Sequence, residues 1–406
     1  MTITQNLYYQ KNEKKGIELL GMAFLFYAGS YSIKPIFNRI GIGALESIGS
    51  LLFYFLWAFA LYRVLMNGRA LRFKILTRIL TWEAIFVLLM LCNKYCFPHT
   101  APFYEEYMMF FRQIVIVFIP CGVVISQISD FNNAFLLLRK YAFYGTGVMI
   151  VSLMCGYLAY WDYQYWGVQL SPFIFILACN YVNNKKKIDL VLLLVDMALL
   201  LLGGRQSIII IVLGMLFLYL FDNRKKSVKM LLIVSLGSVA CLLLVSGVYV
   251  YFFQIIIVLL NSVGIHMEAL DRIASGNLFS TSTRDIIYEY SFLTIANNGP
   301  KVSGILSDRY YLRSIGQYNS WIQYPHNIYL EFLINFGTIL GSIVSILLTW
   351  KVIRSMFLVG DNERRRIGIM ICSLTMIRLF VSSSYIIEGN FFIMLGFLIG
   401  TKKRRC

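Results

Sequence analysis

Apolar runs of roughly 17–25 residues recur from one end of the chain to the other. A run of that length, wound as an α-helix rising 1.5 Å per residue, covers the ~30 Å of hydrocarbon in a bilayer. The composition agrees: 59% of the 406 residues are hydrophobic and only 14% are charged, against about 25% charged in soluble domains. The runs are too continuous for barrel strands, which alternate apolar and polar residues. The predicted fold is therefore all-α, a polytopic membrane protein of about twelve transmembrane helices. They are expected near 17–33, 41–62, 75–97, 105–126, 141–161, 167–183, 188–202, 206–221, 230–252, 327–350, 367–386 and 389–401.

The basic residues orient these spans. Of 37 Lys and Arg residues, 26 fall in one set of alternate loops and nine in the other, with Arg112 and Arg378 inside predicted helices. The positive-inside rule places the richer set, including both termini, in the cytoplasm. The formal charge of +17 is thus spread over short clusters that serve topology, and no nucleic-acid partner is expected. The polar start MTITQNLYYQKNEKK lacks a cleavage site after an apolar region, so the first run is expected to persist as a helix. The eight cysteines form no spaced CxxC set, so neither a metal site nor a disulfide framework is expected.

Three parts follow: helices one to nine over 1–252, an outer segment over 253–326, and helices ten to twelve with a basic cytoplasmic tail over 327–406. The outer segment balances five acidic against five basic residues. Long loops in compact proteins are usually functional or disordered. Here Ile286, Ile287, Tyr290 and Leu293 recur at helical spacing, which predicts an amphipathic helix inside a folded cap.

Ionisable residues within apolar spans are costly and often mark function. Glu46, Arg112, Asp196, Arg205 and Arg378 all fall in the outer half of the predicted bilayer, consistent with a polar cavity beneath the cap or with isolated structural ion pairs. Of the three histidines, His326 follows Pro325 at the outer start of helix ten and faces the predicted cavity mouth. The aromatic run YWDYQYW, 160–166, reads as an interfacial belt.

Three segments resemble the O-antigen polymerase and O-antigen ligase family of bacterial surface-polysaccharide enzymes: GGRQSIIII at 203–211, TSTRDIIYEYSFLTIANNGPKVSG at 281–304, and YPHNIYLEFLINFGTILG at 324–341. They lie in the second half of the chain; the first half matches only as a run of helices. The resemblance implies a membrane-embedded GT-C glycosyltransferase that uses neither metal nor other cofactor. Its donor is expected to be an oligosaccharide on undecaprenyl diphosphate, with a flippase and a chain-length regulator as further partners. The expected setting is the bacterial cytoplasmic (inner) membrane, with the active site on the periplasmic or outer side.

Arg205 and Arg284 suit the diphosphate, because guanidinium is permanently charged and binds phosphate as a bidentate fork. His326 suits a general base for the acceptor hydroxyl. Arg112, Tyr324, Asn327 and Arg378 complete the expected substrate-binding set. Metal-dependent alternatives fit less well: the predicted first outer loop, KPIFNR, carries no acid, and no DxD occurs. A repeat-unit polymerase is the leading expectation, with a ligase as the alternative. A flippase or transporter is the rival of another class, disfavoured by the absence of an internal repeat.

Overall fold

The computed structural model describes residues 3–41, 46–66, 69–160, 163–203, 205–221, 254, 257, 284–316, 324–357 and 361–400; the side chains at 3–12, 46–47, 69–72, 159–160, 163 and 205 fall outside that description. No strand occurs among the described residues. The elements before the outer segment are α1 (Ile3–Arg39), α2 (Glu46–Leu65), α3 (Arg69–Cys96), α4 (Ala101–Glu106), α5 (Met108–Gln113), α6 (Ile119–Ile125), α7 (Ala134–Met154), α8 (Tyr157–Tyr160), α9 (Tyr163–Asn184), α10 (Lys187–Leu200) and α11 (Arg205–Phe221). After it come α12 (Arg284–Asn298), α13 (Ser307–Ile315), α14 (Ile328–Phe357), α15 (Asn362–Cys372), α16 (Arg378–Val381) and α17 (Gly389–Ile399).

Helix covers every predicted span except the ninth, 230–252, which lies outside the described residues. Among the described residues, seven helices are long and apolar enough to cross a membrane: Glu13–Arg39, Ile48–Leu65, Phe73–Cys96, Met108–Ile125, Ala134–Met154, Gln164–Asn184 and Ile328–Met356. The expected count of twelve is therefore not reached on length and composition alone. α10 has 14 residues, only ~21 Å of rise, and the helical run through 362–381 carries Glu363, Arg364, Arg365, Arg366 and Arg378, too many charges for an apolar span.

The spans divide by burial. α1 carries the core, with 83% of its apolar window buried, whereas the windows of α2 and α3 are 17% and 22% buried. The exposed Leu51, Phe55, Phe59, Leu80 and Leu88 give α2 and α3 a lipid-facing surface, since apolar side chains lose nothing against acyl chains. α6 and α17 cross closely through small residues. A Cβ on Gly396 would lie 2.1 Å from the Gly122 carbonyl oxygen, and one on Gly400 2.7 Å from that of Ser126. Packing of this kind replaces the hydrophobic effect between helices in lipid.

The outer segment contains the expected helix, as α12, but its buried stripe is Ile287, Ser291 and Thr294; Ile286 and Leu293 face outward. The two buried hydroxyls bond back to the Ile287 and Tyr290 carbonyls, so polar side chains occupy the face the apolar spacing had assigned elsewhere. The interfacial belt is likewise corrected at one residue. Trp166 is fully buried, and its indole N–H donates to the Leu199 carbonyl at 2.8 Å.

Gly337 breaks α14, with φ +75° and ψ 168° inside an otherwise continuous helix. The loop after α12 fills the break: Thr338 N–H donates to the Gly299 carbonyl at 2.9 Å, and Ser303 and Gly304 N–H both donate to that of Asn335. A Cβ at 337 would lie 2.4 Å from the Pro300 carbonyl oxygen, so the sequence needs glycine there for conformation and for space.

Candidate active site

The entry to α14 sets the site. His326 adopts a left-handed backbone, φ +55°, a region uncommon for residues other than glycine and associated with functional strain. Asn327 then caps the helix, its Oδ1 accepting from Tyr329 N–H at 3.0 Å and Leu330 N–H at 3.4 Å. The turn aims the His326 ring at the end of α16, where Nδ1 lies 3.3 Å from the Ser382 carbonyl oxygen. A carbonyl only accepts, so Nδ1 carries the proton and Nε2 keeps its lone pair. Tyr324 packs against the same ring at 4.3 Å between centroids, and its hydroxyl donates to the same carbonyl at 3.4 Å.

Burial lowers the His326 pKa to about 4, assisted by the positive charges of Arg284 and Arg309 and opposed by the Ser382 hydrogen bond. The imidazole is therefore neutral at physiological pH, the form a general base requires.

Below Tyr324 lies a buried ionic cluster that sequence reading did not place in the site. Arg309, fully buried on α13, pairs with Asp308 and, at 2.6 Å, with Glu331 of α14. Its second terminal nitrogen donates to Ser384 Oγ at 2.5 Å, and Ser384 also donates to Glu331. The guanidinium sits between the rings of Tyr107 and Tyr324, 5.2 and 5.1 Å from their centroids, an arrangement cation–π attraction favours. Burial works against the Arg309 charge, but the two carboxylates outweigh it and hold the group protonated. Asn335 joins the cluster, its Oδ1 accepting from Ser307 Oγ and from Asp308 N–H.

The other expected residues distribute unevenly. Arg284 opens α12, half-buried, and its charge reaches His326. Arg205 opens α11, but its side chain lies outside the described residues. Arg378 is buried, pairs with Glu388, and donates to Tyr27 Oη at 3.1 Å; it begins the short helix that ends at Ser382. Arg112 does not join the group: it is exposed on α5 and its charge bears on Tyr54. Asn327 has a capping role that accounts for its side-chain oxygen.

The missed residues were readable in part. Glu331 is an ionisable residue in a predicted span, the same criterion that picked out Arg378. Arg309 had no such signal, because its charge counts as one among several in an outer loop. A second outer cation, Arg313, grips Glu106 through two hydrogen bonds of 2.7 and 3.0 Å, tying α13 to α4.

Among known proteins, residues 190–345 match the family model described as O-antigen ligase. The match takes in α11, α12, α13 and the first part of α14, with Arg205, Arg284, Arg309, His326 and Glu331 among its residues. The matched segment, under half of the chain, is similar to that family. No curated protein and no solved structure matches the chain.

Proposed function

We propose that the protein is a glycosyltransferase that extends a bacterial surface polysaccharide by polymerising repeat units. The observation that carries this is His326: a neutral imidazole with an unprotonated Nε2, fixed in one tautomer and facing the charge of Arg284, within a segment matched to polysaccharide enzymes. In the reaction, a hydroxyl of the acceptor glycan attacks the anomeric carbon of the donor. The bond from that carbon to the phosphate oxygen breaks, and undecaprenyl diphosphate leaves with the bonding electron pair. The hydroxyl proton passes to His326 Nε2. A single displacement of this kind inverts the anomeric centre.

Arg205 and Arg284 stabilise the leaving diphosphate. Each opens a helix, where a cation opposes the macrodipole, and a cation kept there fits a role in holding an anion beside the helix N-terminal amides. Metal independence is supported by the occupation of the nearest carboxylates, since Asp308 and Glu331 are both committed to Arg309. The proposed setting is the inner membrane with twelve crossings, cytoplasmic termini and the site on the outer side. A flippase would supply the donor and a chain-length regulator would set the product.

A ligase that passes finished polysaccharide to a lipid core or another acceptor is the second reading, favoured by the description of the matching family. Deletion of the gene separates them. Loss of a polymerase leaves single repeat units, on the lipid carrier or on the final acceptor. Loss of a ligase leaves long chains on undecaprenyl diphosphate, and that result would overturn the polymerase assignment.

A further inference from the structure

A path of uncharged polar groups joins the start of α11 to His326. Gln206, next to Arg205, donates from Nε2 to Gln164 Oε1 of α9 at 3.4 Å. Ser382 Oγ donates to the same oxygen at 3.4 Å, and the Ser382 carbonyl carries His326 and Tyr324. The two glutamines meet because the turn before α11 touches α9 three residues away from each. A Cβ on Gly203 would lie 2.8 Å from the Gly167 Cα.

Two properties distinguish this path from ordinary core packing. Gln206 is only 7% exposed, and its Oε1 accepts no hydrogen bond among the described residues, a situation that buried amides rarely tolerate. The four bonds along the path are long, 3.3–3.4 Å against a usual ~2.9 Å, so incoming hydroxyls would replace them at small loss.

We propose that Gln206 and Gln164 form the subsite for the transferring sugar of the donor, binding its ring hydroxyls as a neutral saccharide. The inference rests on the glycosyltransferase reading above. In a single displacement the anomeric carbon lies between the base at His326 and the diphosphate bonded to it at Arg205, so the ring it carries lies against the side chains that line this interval, and Gln206 and Gln164 are among them. Primary amides donate and accept at once, which matches hydroxyl groups. None of the described side chains on the path is charged, and the nearby Arg378 is paired with Glu388, which fits an uncharged sugar ring. Tyr165, the residue following Gln164, stacks on Tyr31 at 5.4 Å and 21°.

The test uses the full-length protein in detergent or liposomes, with lipid-linked repeat units extracted from a strain lacking the gene. Gln206→Ala and Gln164→Ala should raise KM for that material roughly tenfold while kcat stays within about threefold. Gln206→Met, which keeps the length of the side chain, should do the same if truncation disturbs folding. Unchanged KM in folded variants overturns the inference, as does a fall in kcat alone. A second readout needs no turnover: the extracted donor should raise the melting temperature of the His326→Ala protein, and adding Gln206→Met should abolish that rise. Donor binding lost with Gln206→Met in a protein that never transfers sugar would sustain the subsite and reject the glycosyltransferase. Transfer activity with donor binding indifferent to Gln206 would do the reverse.

Discussion

Arg309 and Glu331 are 22 positions apart in sequence, on the outer segment and on a membrane helix, and their side chains meet at 2.6 Å with no solvent on either. The pair locks α13 onto the entrance of α14, next to the aromatic ring that packs on His326. One guanidinium faces two carboxylates and two aromatic rings, so a single substitution strands several partners at once.

Removing one member should therefore be costly. Breaking a buried ion pair by deleting one partner destabilises by about 3–5 kcal/mol. Arg309→Met and Glu331→Leu are each expected to fall in that range, measured by thermal or denaturant unfolding in detergent. Either substitution costing under ~1 kcal/mol would show that the cluster does not anchor the outer segment.

Acid should silence the enzyme late. His326 works as a base in its neutral form, and burial lowers its pKa from the ordinary 6.5 to about 4. Activity is lost as pH falls through the folded value, so the acid limb of kcat/KM should centre near 4 and not near 6.5. The same shift has a stability consequence: below 6.5 the unfolded chain binds a proton that the folded chain refuses, so this contribution is lost between pH 6.5 and about 4. Measuring kcat/KM from pH 4 to 8 checks the first statement, and a limb at 6.5 would contradict it.

Gly337→Ala should weaken the join between α14 and the loop after α12. The new Cβ meets the Pro300 carbonyl at 2.4 Å on a backbone of positive φ, and strained conformations of this kind cost about 1–3 kcal/mol. Proteolysis within 299–304 should accelerate in the variant, and wild-type resistance would show that the loop tolerates the shift.

Topology is open to direct measurement. Reporter fusions after Lys226 and Arg366 should score cytoplasmic, and one within 298–320 should score outer. The opposite pattern would put His326 on the cytoplasmic side and overturn the outer-side assignment of the site.

How far the sequence carried the structure differs from residue to residue. The spans were legible because hydrocarbon demands long apolar helices, and His326 stood out at the start of a predicted span and Arg378 inside one. The Gly337 break was not legible, because one glycine in an apolar run does not announce a carbonyl packed against it. Arg112 was placed from depth alone. Depth along a helix follows from counting, but the facing of α5 depends on which neighbours cover it, and they leave Arg112 outside. The ionic cluster needed tertiary structure, since nothing local in Asp308–Arg309 points to a glutamate in the next helix.

The left-handed backbone at His326 makes stability and activity separable at one position. A residue with a Cβ is disfavoured there by about 1–2 kcal/mol relative to glycine, so His326→Gly should unfold at a higher temperature than His326→Ala although both lack the imidazole. Both should be equally inactive, down by roughly 10²–10⁴-fold. The chain thus tolerates a side chain its own turn resists, and a search for sturdier variants that ignored activity would favour glycine where the histidine now stands.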